Sequence, residues 1–314
     1  MKNPLRKRIP RELKSEIGKY LVIFLLMLGT IGMVSGFLVA DGSMIKAYNE
    51  SFEKYNIEDG NFRTGEKVYR GQREAMEEQG IKIYENYYIE EALTNGSTMR
   101  FFKNRDEVDK VCIMEGRLPK TTGEIAIDRM YADNNSLKIG DTLSSGDKTW
   151  KIAGLIALSD YSALFQNNND SMFDAVKFGV SVVTPEEFDS LDQEKLQYNY
   201  SWIYDKKPKD EKEEKEVSED LMKEMGKVVT LENFVPRYQN QAIIFTGDDM
   251  GGDKAMMVML LYIVIAIMAF VFGITTGNTI TKEAGVIGTL RASGYTGNEL
   301  IRHYMTLPVL VTLA

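Results

Sequence analysis

The sequence has little of what catalysis usually needs. Cys112 is the lone cysteine and His303 the lone histidine among 314 residues. One cysteine excludes an internal disulfide, so any folded domain must be held by an apolar core. One histidine excludes His-dependent triads and His-based zinc sites from the rest of the chain. No run of the G-x-x-x-x-G-K-[ST] type occurs, so ATP hydrolysis by a phosphate loop is not expected here. Asp248, Asp249 and Asp253 form an acidic cluster without EF-hand spacing and read as the boundary of a helix. The expectation is therefore a non-enzyme with no catalytic residue, no metal ligand and no cofactor site of its own.

Long uncharged runs, by contrast, are present. Residues 20–40 (YLVIFLLMLGTIGMVSGFLVA) and 255–280 are each long enough, at ~1.5 Å per residue, to cross a ~30 Å hydrocarbon core. A third run starts near Leu307 and stops at Ala314, so the expectation is the amino-terminal part of a longer chain. The first run is too long for a cleavable signal, and Leu38-Val39-Ala40 is a poor cleavage site, so it reads as a signal anchor. Ahead of it stand Lys2, Arg6, Lys7, Arg8, Arg11, Lys14 and Lys19 against Glu12 and Glu16. Residues 282–303 are also slightly basic, which leaves the negative charge on residues 21–281. The positive-inside rule then puts both ends in the cytoplasm and the middle outside. The expected layout is a cytoplasmic amphipathic helix over 1–19, a span over 20–40, an extracytoplasmic domain over 41–254, a second span over 255–280, a cytoplasmic elbow over 281–304 and the start of a third span over 305–314. The location is a plasma membrane, multi-pass.

Pro10 precedes a stretch in which Leu13, Ile17 and Tyr20 recur at helical spacing, which predicts a short amphipathic helix in the inner interface. Beyond the first span, helices are expected from Met44 to Tyr55 and over 66–79, ending at Gly80. Runs rich in β-branched and aromatic residues then predict strands over 81–88, 98–102, 111–114, 124–128, 149–158, 180–184 and 198–204. Turns are expected at Thr94-Asn95-Gly96 and Ser145-Gly146-Asp147. Thr184-Pro185-Glu186-Glu187 predicts a helix start with a capping box. Residues 205–227 alternate Glu and Lys as a solvated helix would. The domain is thus mixed α+β with a prominent sheet.

Two features bear on function. Gly32 and Gly36 in the first span, and Gly273 and Gly277 in the second, form small-residue pairs that let helices approach closely, on each other or on a partner. After the second span, Val286, Ile287 and Leu290 share a helical face, Gly294 stands where a left-handed cap belongs, and Thr296-Gly297-Asn298-Glu299 is a capping box for a further helix. A short helix, a sharp turn and a return toward the membrane make a rigid elbow, suited to receive a push from a soluble subunit.

The elbow Lys282-Glu283-Ala284-Gly285-Val286-Ile287-Gly288-Thr289-Leu290-Arg291-Ala292-Ser293-Gly294-Tyr295 resembles the coupling segment of FtsX-like, MacB-type ABC transporter permeases. Upstream, Glu115-Gly116-Arg117-Leu118-Pro119, Gly123-Glu124-Ile125-Ala126-Ile127, Leu137 to Leu143 and Trp150 to Gly154 are similar, in order, to the motifs of that family's extracytoplasmic core. The charged stretch 205–227 has no counterpart in the family pattern, and the family's later spans would lie beyond Ala314. The resemblance implies membrane helices plus an α+β extracytoplasmic domain of the MacB periplasmic-core type. It implies docking of a cytoplasmic ABC ATPase through Lys282, Glu283, Val286, Ile287, Leu290, Arg291, Gly294 and Tyr295, with ATP bound only by that partner. A second permease half or a homodimer partner and membrane lipid complete the expected partners; nucleic acid is not among them. The competing readings are a two-span receptor with an extracellular sensor domain, which would not return to the membrane so soon, and an anchored hydrolase, which the scarcity of His and Cys weakens.

Overall fold

Two continuous helices organise the chain. In the computed structural model, which describes residues 4–313, α2 runs over Ile17–Lys54 and α7 over Gln241–Lys282. Lys2 of the basic amino-terminal cluster and Ala314, where the third apolar run stops, lie outside the described residues. Both helices are long and apolar enough to cross a membrane, and only 11% and 6% of their most apolar windows are buried inside the chain. Helices at the core of a water-soluble domain would be mostly buried, so these faces are shaped for contact with something apolar. Each helix outruns its apolar run. The helix expected from Met44 is the continuation of α2, because no proline interrupts residues 41–54; Gly251 and Gly252 likewise lie inside α7.

The chain divides into a helical unit, made of residues up to 45 and from 250 onward, and an α+β unit over residues 46–249. In the helical unit α1 covers Pro4–Ser15, with Pro10 inside it rather than before it; the missing proline amide removes one rung without ending so short a helix. Two short helices follow α7: α8 over Ala284–Ala292 and α9 over Gly297–Leu313. His303 of α9 is buried and stands 3.3 Å from Glu12 of α1.

The α+β unit contains two sheets. The smaller has the order β11-β1-β10-β2 and is antiparallel throughout, with β1 at Gly60–Thr64, β2 at Ile81–Glu85, β10 at Tyr198–Tyr204 and β11 at Leu231–Pro236. The larger has the order β3-β4-β9-β6-β8-β5, with β7 also paired to the long β8. Its strands are β3 (Tyr88–Ala92), β4 (Thr98–Lys103), β5 (Val111–Gly116), β6 (Glu124–Asp128), β7 (Thr142–Ser145), β8 (Lys148–Leu158) and β9 (Phe178–Val183). The pairs β4–β9 and β6–β8 are parallel and the rest antiparallel. Each sheet has its own core. Phe101, Ile127, Tyr131, Trp150 and Phe188 anchor the larger; Phe62, Ile83, Tyr200 and Trp202 anchor the smaller. Full burial of each such side chain contributes about 1.5–3 kcal/mol.

Several expectations are corrected. The single strand predicted over 81–88 is two, split at Asn86 and Tyr87, and its halves belong to different sheets. Strands β1, β7 and β11 were not predicted. β11 is an edge strand carrying Glu232 and Asn233 and closing on Pro236, which hides it from a search for apolar alternation. β1 begins at Gly60, where an added Cβ would collide with the Trp202 ring and stand 2.7 Å from the Val235 carbonyl, so only glycine fits. Thr184 does cap α5 (Pro185–Ser190), accepting from the Glu187 amide at 3.2 Å. The Glu187 carboxylate, however, turns inward to accept from Trp150 Nε1 at 2.7 Å and the Gly123 amide at 2.8 Å, so the reciprocal half of the box is replaced by a core tie. The charged stretch forms α6 (Glu211–Met225), capped by Asp210; it is not solvated all round, since Leu221 and Met225 are buried in the smaller core.

Candidate functional site

The predicted elbow forms in the helical unit. Val286 (42% exposed) and Arg291 are exposed, and Ile287 and Leu290 half-buried, so the apolar face expected on α8 is left largely open. Gly294 adopts φ +95°, with its amide donating to the Arg291 carbonyl (3.1 Å) and the Tyr295 amide to Leu290 (3.1 Å). This is the left-handed stop that glycine provides. Thr296 and Glu299 then make the capping box in both directions: the Glu299 amide donates to Thr296 Oγ1 (3.3 Å), and the Thr296 amide donates to Glu299 (2.9 Å), which holds that carboxyl below its ordinary range. Glu283 is turned inward, accepting from Arg8 at 2.9 Å and from the Tyr304 hydroxyl at 2.6 Å. Among the described residues Lys282 makes only a long pair with Glu16 (3.9 Å), exposed and worth little. At Gly32, Gly36, Gly273 and Gly277 an added Cβ would meet no atom within 4 Å, so these glycines do not pack closely on another helix of the described chain.

The ordered motifs of the α+β unit converge on one place in the larger sheet. Arg117 is bidentate to Glu124 at 2.9 and 2.6 Å, holding that carboxyl down at about 2. Its amide donates to the Ala153 carbonyl (3.1 Å), and at Gly154 an added Cβ would run into the Arg117 backbone. The Gly140 amide donates to the Ile152 carbonyl at 2.9 Å. These residues lock β5, β6 and β8 together, so the motif series is architectural.

A second site was not anticipated. A polar cleft of ≈ 480 Å³ lies in the α+β unit, lined by residues of both sheets, among them Glu58, Asn61, Arg63, Arg100, Asp160 and Asn240. Beside it sits a buried charge network. Arg105 (8% exposed) holds Asp160 with two 2.7 Å hydrogen bonds and reaches Asn86 at 3.2 Å. Asn86 donates to the Ser201 hydroxyl (3.0 Å), which donates to Asp109 (2.9 Å), and Asp109 accepts the Glu58 amide at 2.8 Å. Asn61 and Asn240 donate to Glu58 Oε1 at 2.6 and 3.2 Å, while Oε2 has no hydrogen-bond partner among the described residues. Burial, then the charge of Asp160, pushes the Glu58 carboxyl up to about 7; burial and the charge of Glu58 push Asp109 well above its usual range.

Within the α+β unit the cleft adjoins the end of α2 and the start of α7. Glu58 follows the end of α2 after the tight turn at Asn56 (φ +50°), whose carbonyl accepts the Asp109 amide at 3.0 Å. Asn240 immediately precedes α7, and Ser162, two residues from Asp160, donates to the Ala242 and Ile243 carbonyls at 3.0 and 2.8 Å. Tyr48 of α2 donates to the Ile243 carbonyl at 3.0 Å, its ring filling the space over Gly247 of α7. In sequence Glu58, Arg105, Asp109 and Asp160 look like ordinary loop charges. The one available hint is that Ile57 and Val108 set two of them beside apolar residues that are also buried.

No protein-family model matches the chain, and no curated protein matches it. Among solved structures, the periplasmic region of MacB from Actinobacillus actinomycetemcomitans overlaps 53% of this chain and 83% of its own, at 8% identity and a TM-score of 0.29.

Proposed function

We propose that the chain is the membrane-spanning subunit of an ABC transporter of the FtsX-like, MacB type, coupling ATP hydrolysis in a cytoplasmic partner to a change of shape in an extracytoplasmic α+β domain. The observation that carries this reading is the elbow. A capped turn at Gly294 returns the chain into α9, and the α8 face bearing Val286, Ile287, Leu290 and Arg291 stays open while Glu283 is tied back to Arg8 and Tyr304. A docking surface needs an open apolar patch with a charged rim on a rigid support, which this combination supplies. Helix α7 runs over Gln241–Lys282 and ends where the elbow begins.

The test is co-purification of a Walker-motif ATPase with the full chain from membranes. Leu290→Asp and Arg291→Asp are expected to abolish recovery of the ATPase while membrane insertion stays normal. An ATPase recovered equally with the variants, or none recovered with the wild type, overturns the reading.

A further inference from the structure

We propose that the polar cleft of the α+β unit is a binding site for a small ligand carrying a protonated amine, which Glu58 receives. The inference stands on the cleft alone and does not depend on the transport reading. Three charge pairs surround the cleft and cancel: Arg63 with Glu232 (3.0 Å), Arg100 with Glu90 (2.9 Å) and Arg105 with Asp160 (2.7 Å). Two carboxylates, Glu58 and Asp109, make no direct ion pair among the described residues and share the charge of Arg105 with Asp160. Both Asp109 oxygens are occupied, by the Glu58 amide and the Ser201 hydroxyl. Glu58 is different. It is the least exposed residue lining the cleft, at 1%, and one of its oxygens has no hydrogen-bond partner. A buried carboxylate oxygen left in that condition costs free energy, and an ammonium group restores both the missing charge and the missing donor.

The remaining lining suits a ligand with several further hydrogen-bonding groups. Gln166, Asn167, Asn199 and Asn233 offer amide donors and acceptors, and Tyr88 and Phe234 offer aromatic surface. The volume, ≈ 480 Å³, falls within the few hundred to about 1,000 Å³ typical of small-molecule sites. An ammonium at Glu58 would also be one residue from the network of Asp109, Asp160 and Arg105, and next to the Asn240 amide that precedes α7. Occupancy would thus be felt at the roots of both long helices. The charged groups nearest Glu58 are Asp109, Asp160 and Arg105, with the Asp59–Arg237 pair (2.7 Å) adjoining in sequence. An amine favours the ionised carboxylate, so its binding near neutral pH must expel a proton from Glu58.

The test is calorimetric titration of the full chain in detergent micelles at pH 7 with D-glucosamine and with glycylglycinamide, each against its N-acetylated form. The sugar and peptide arms separate the two sources of the same amine chemistry. At least one amine is expected to bind, with its acetylated form weaker on the order of tenfold or more, the worth of one charged hydrogen bond. Binding heat should vary with the ionisation enthalpy of the buffer, reporting the released proton. Glu58→Gln should lose the preference for the amine and the buffer dependence together. The comparison with acetylated ligands on the unaltered chain stands even if that variant folds poorly. Failure of both amines to bind, or equal binding of amine and acetylated forms, overturns the proposal.

Discussion

The two units of the molecule bury opposite things. Along α2 and α7 the apolar windows are almost wholly exposed, whereas the α+β unit encloses Glu58, Asp109, Asp160 and Arg105 at 8% exposure or less. The hydrophobic effect places apolar groups away from water, so the first pattern implies that the helices do not meet water, and the second that something other than water-avoidance set the middle of the α+β unit. Buried charge is retained there against its desolvation cost, which makes the network a candidate for a functional role.

This contrast can be broken experimentally. The largest effect is expected from Arg105→Ala, which strips the one guanidinium from a cluster of three buried carboxylates and should cost about 3–5 kcal/mol of stability. Both tryptophans of the chain, Trp150 and Trp202, are buried in the α+β unit, so fluorescence-monitored denaturation of the full chain in detergent reports that unit selectively. A cost below about 1 kcal/mol would mean that the network relaxes and the contrast is superficial.

A smaller effect is expected from pH. The folded-state pKa of Glu58, at about 7, lies above its ordinary value, so the folded state holds this proton more tightly than the unfolded chain does. The resulting stabilisation is complete below the ordinary carboxylate range and lost as pH rises through about 7. Acidifying from pH 8 to pH 6 should therefore raise the stability of the α+β unit by on the order of 1 kcal/mol. Glu58→Gln should flatten that dependence, and a slope unchanged in the variant would assign it to another group. The smallest effect belongs to the glycine pairs. Gly273→Ala with Gly277→Ala should not destabilise the chain, since no neighbouring atom is near enough to be displaced and alanine is the better helix former. Cross-linking between copies in membranes should nevertheless fall if that stripe packs on a partner.

What could be read from the sequence follows the same division. The long helices, the elbow with its Gly294 stop, and most strands of the larger sheet are local properties, set by run length, alternation and caps, and they are visible without tertiary knowledge. Tyr198–Tyr204 was readable because its side chains are aromatic; its partner Leu231–Pro236 was not, because an edge strand needs little apolar character of its own. The break at Asn86 depends on hydrogen bonds to Asn199 and Ser201, more than a hundred residues away, and no local pattern announces it. The cleft is the extreme case. Glu58 follows α2, Arg105 and Asp109 share the loop between β4 and β5, and Asp160 follows β8, so their burial is a product of how these three loops and the two sheets meet.

The contact between Tyr48 and Ile243 has a topological consequence. A hydroxyl and a carbonyl 3.0 Å apart join positions separated by 195 residues, so everything between them is a loop whose two ends are already pinned together. Such a segment behaves as a cassette: it can be lengthened or shortened at its exposed loops without opening the Tyr48–Ile243 closure, in the way that insertions are tolerated wherever chain ends converge.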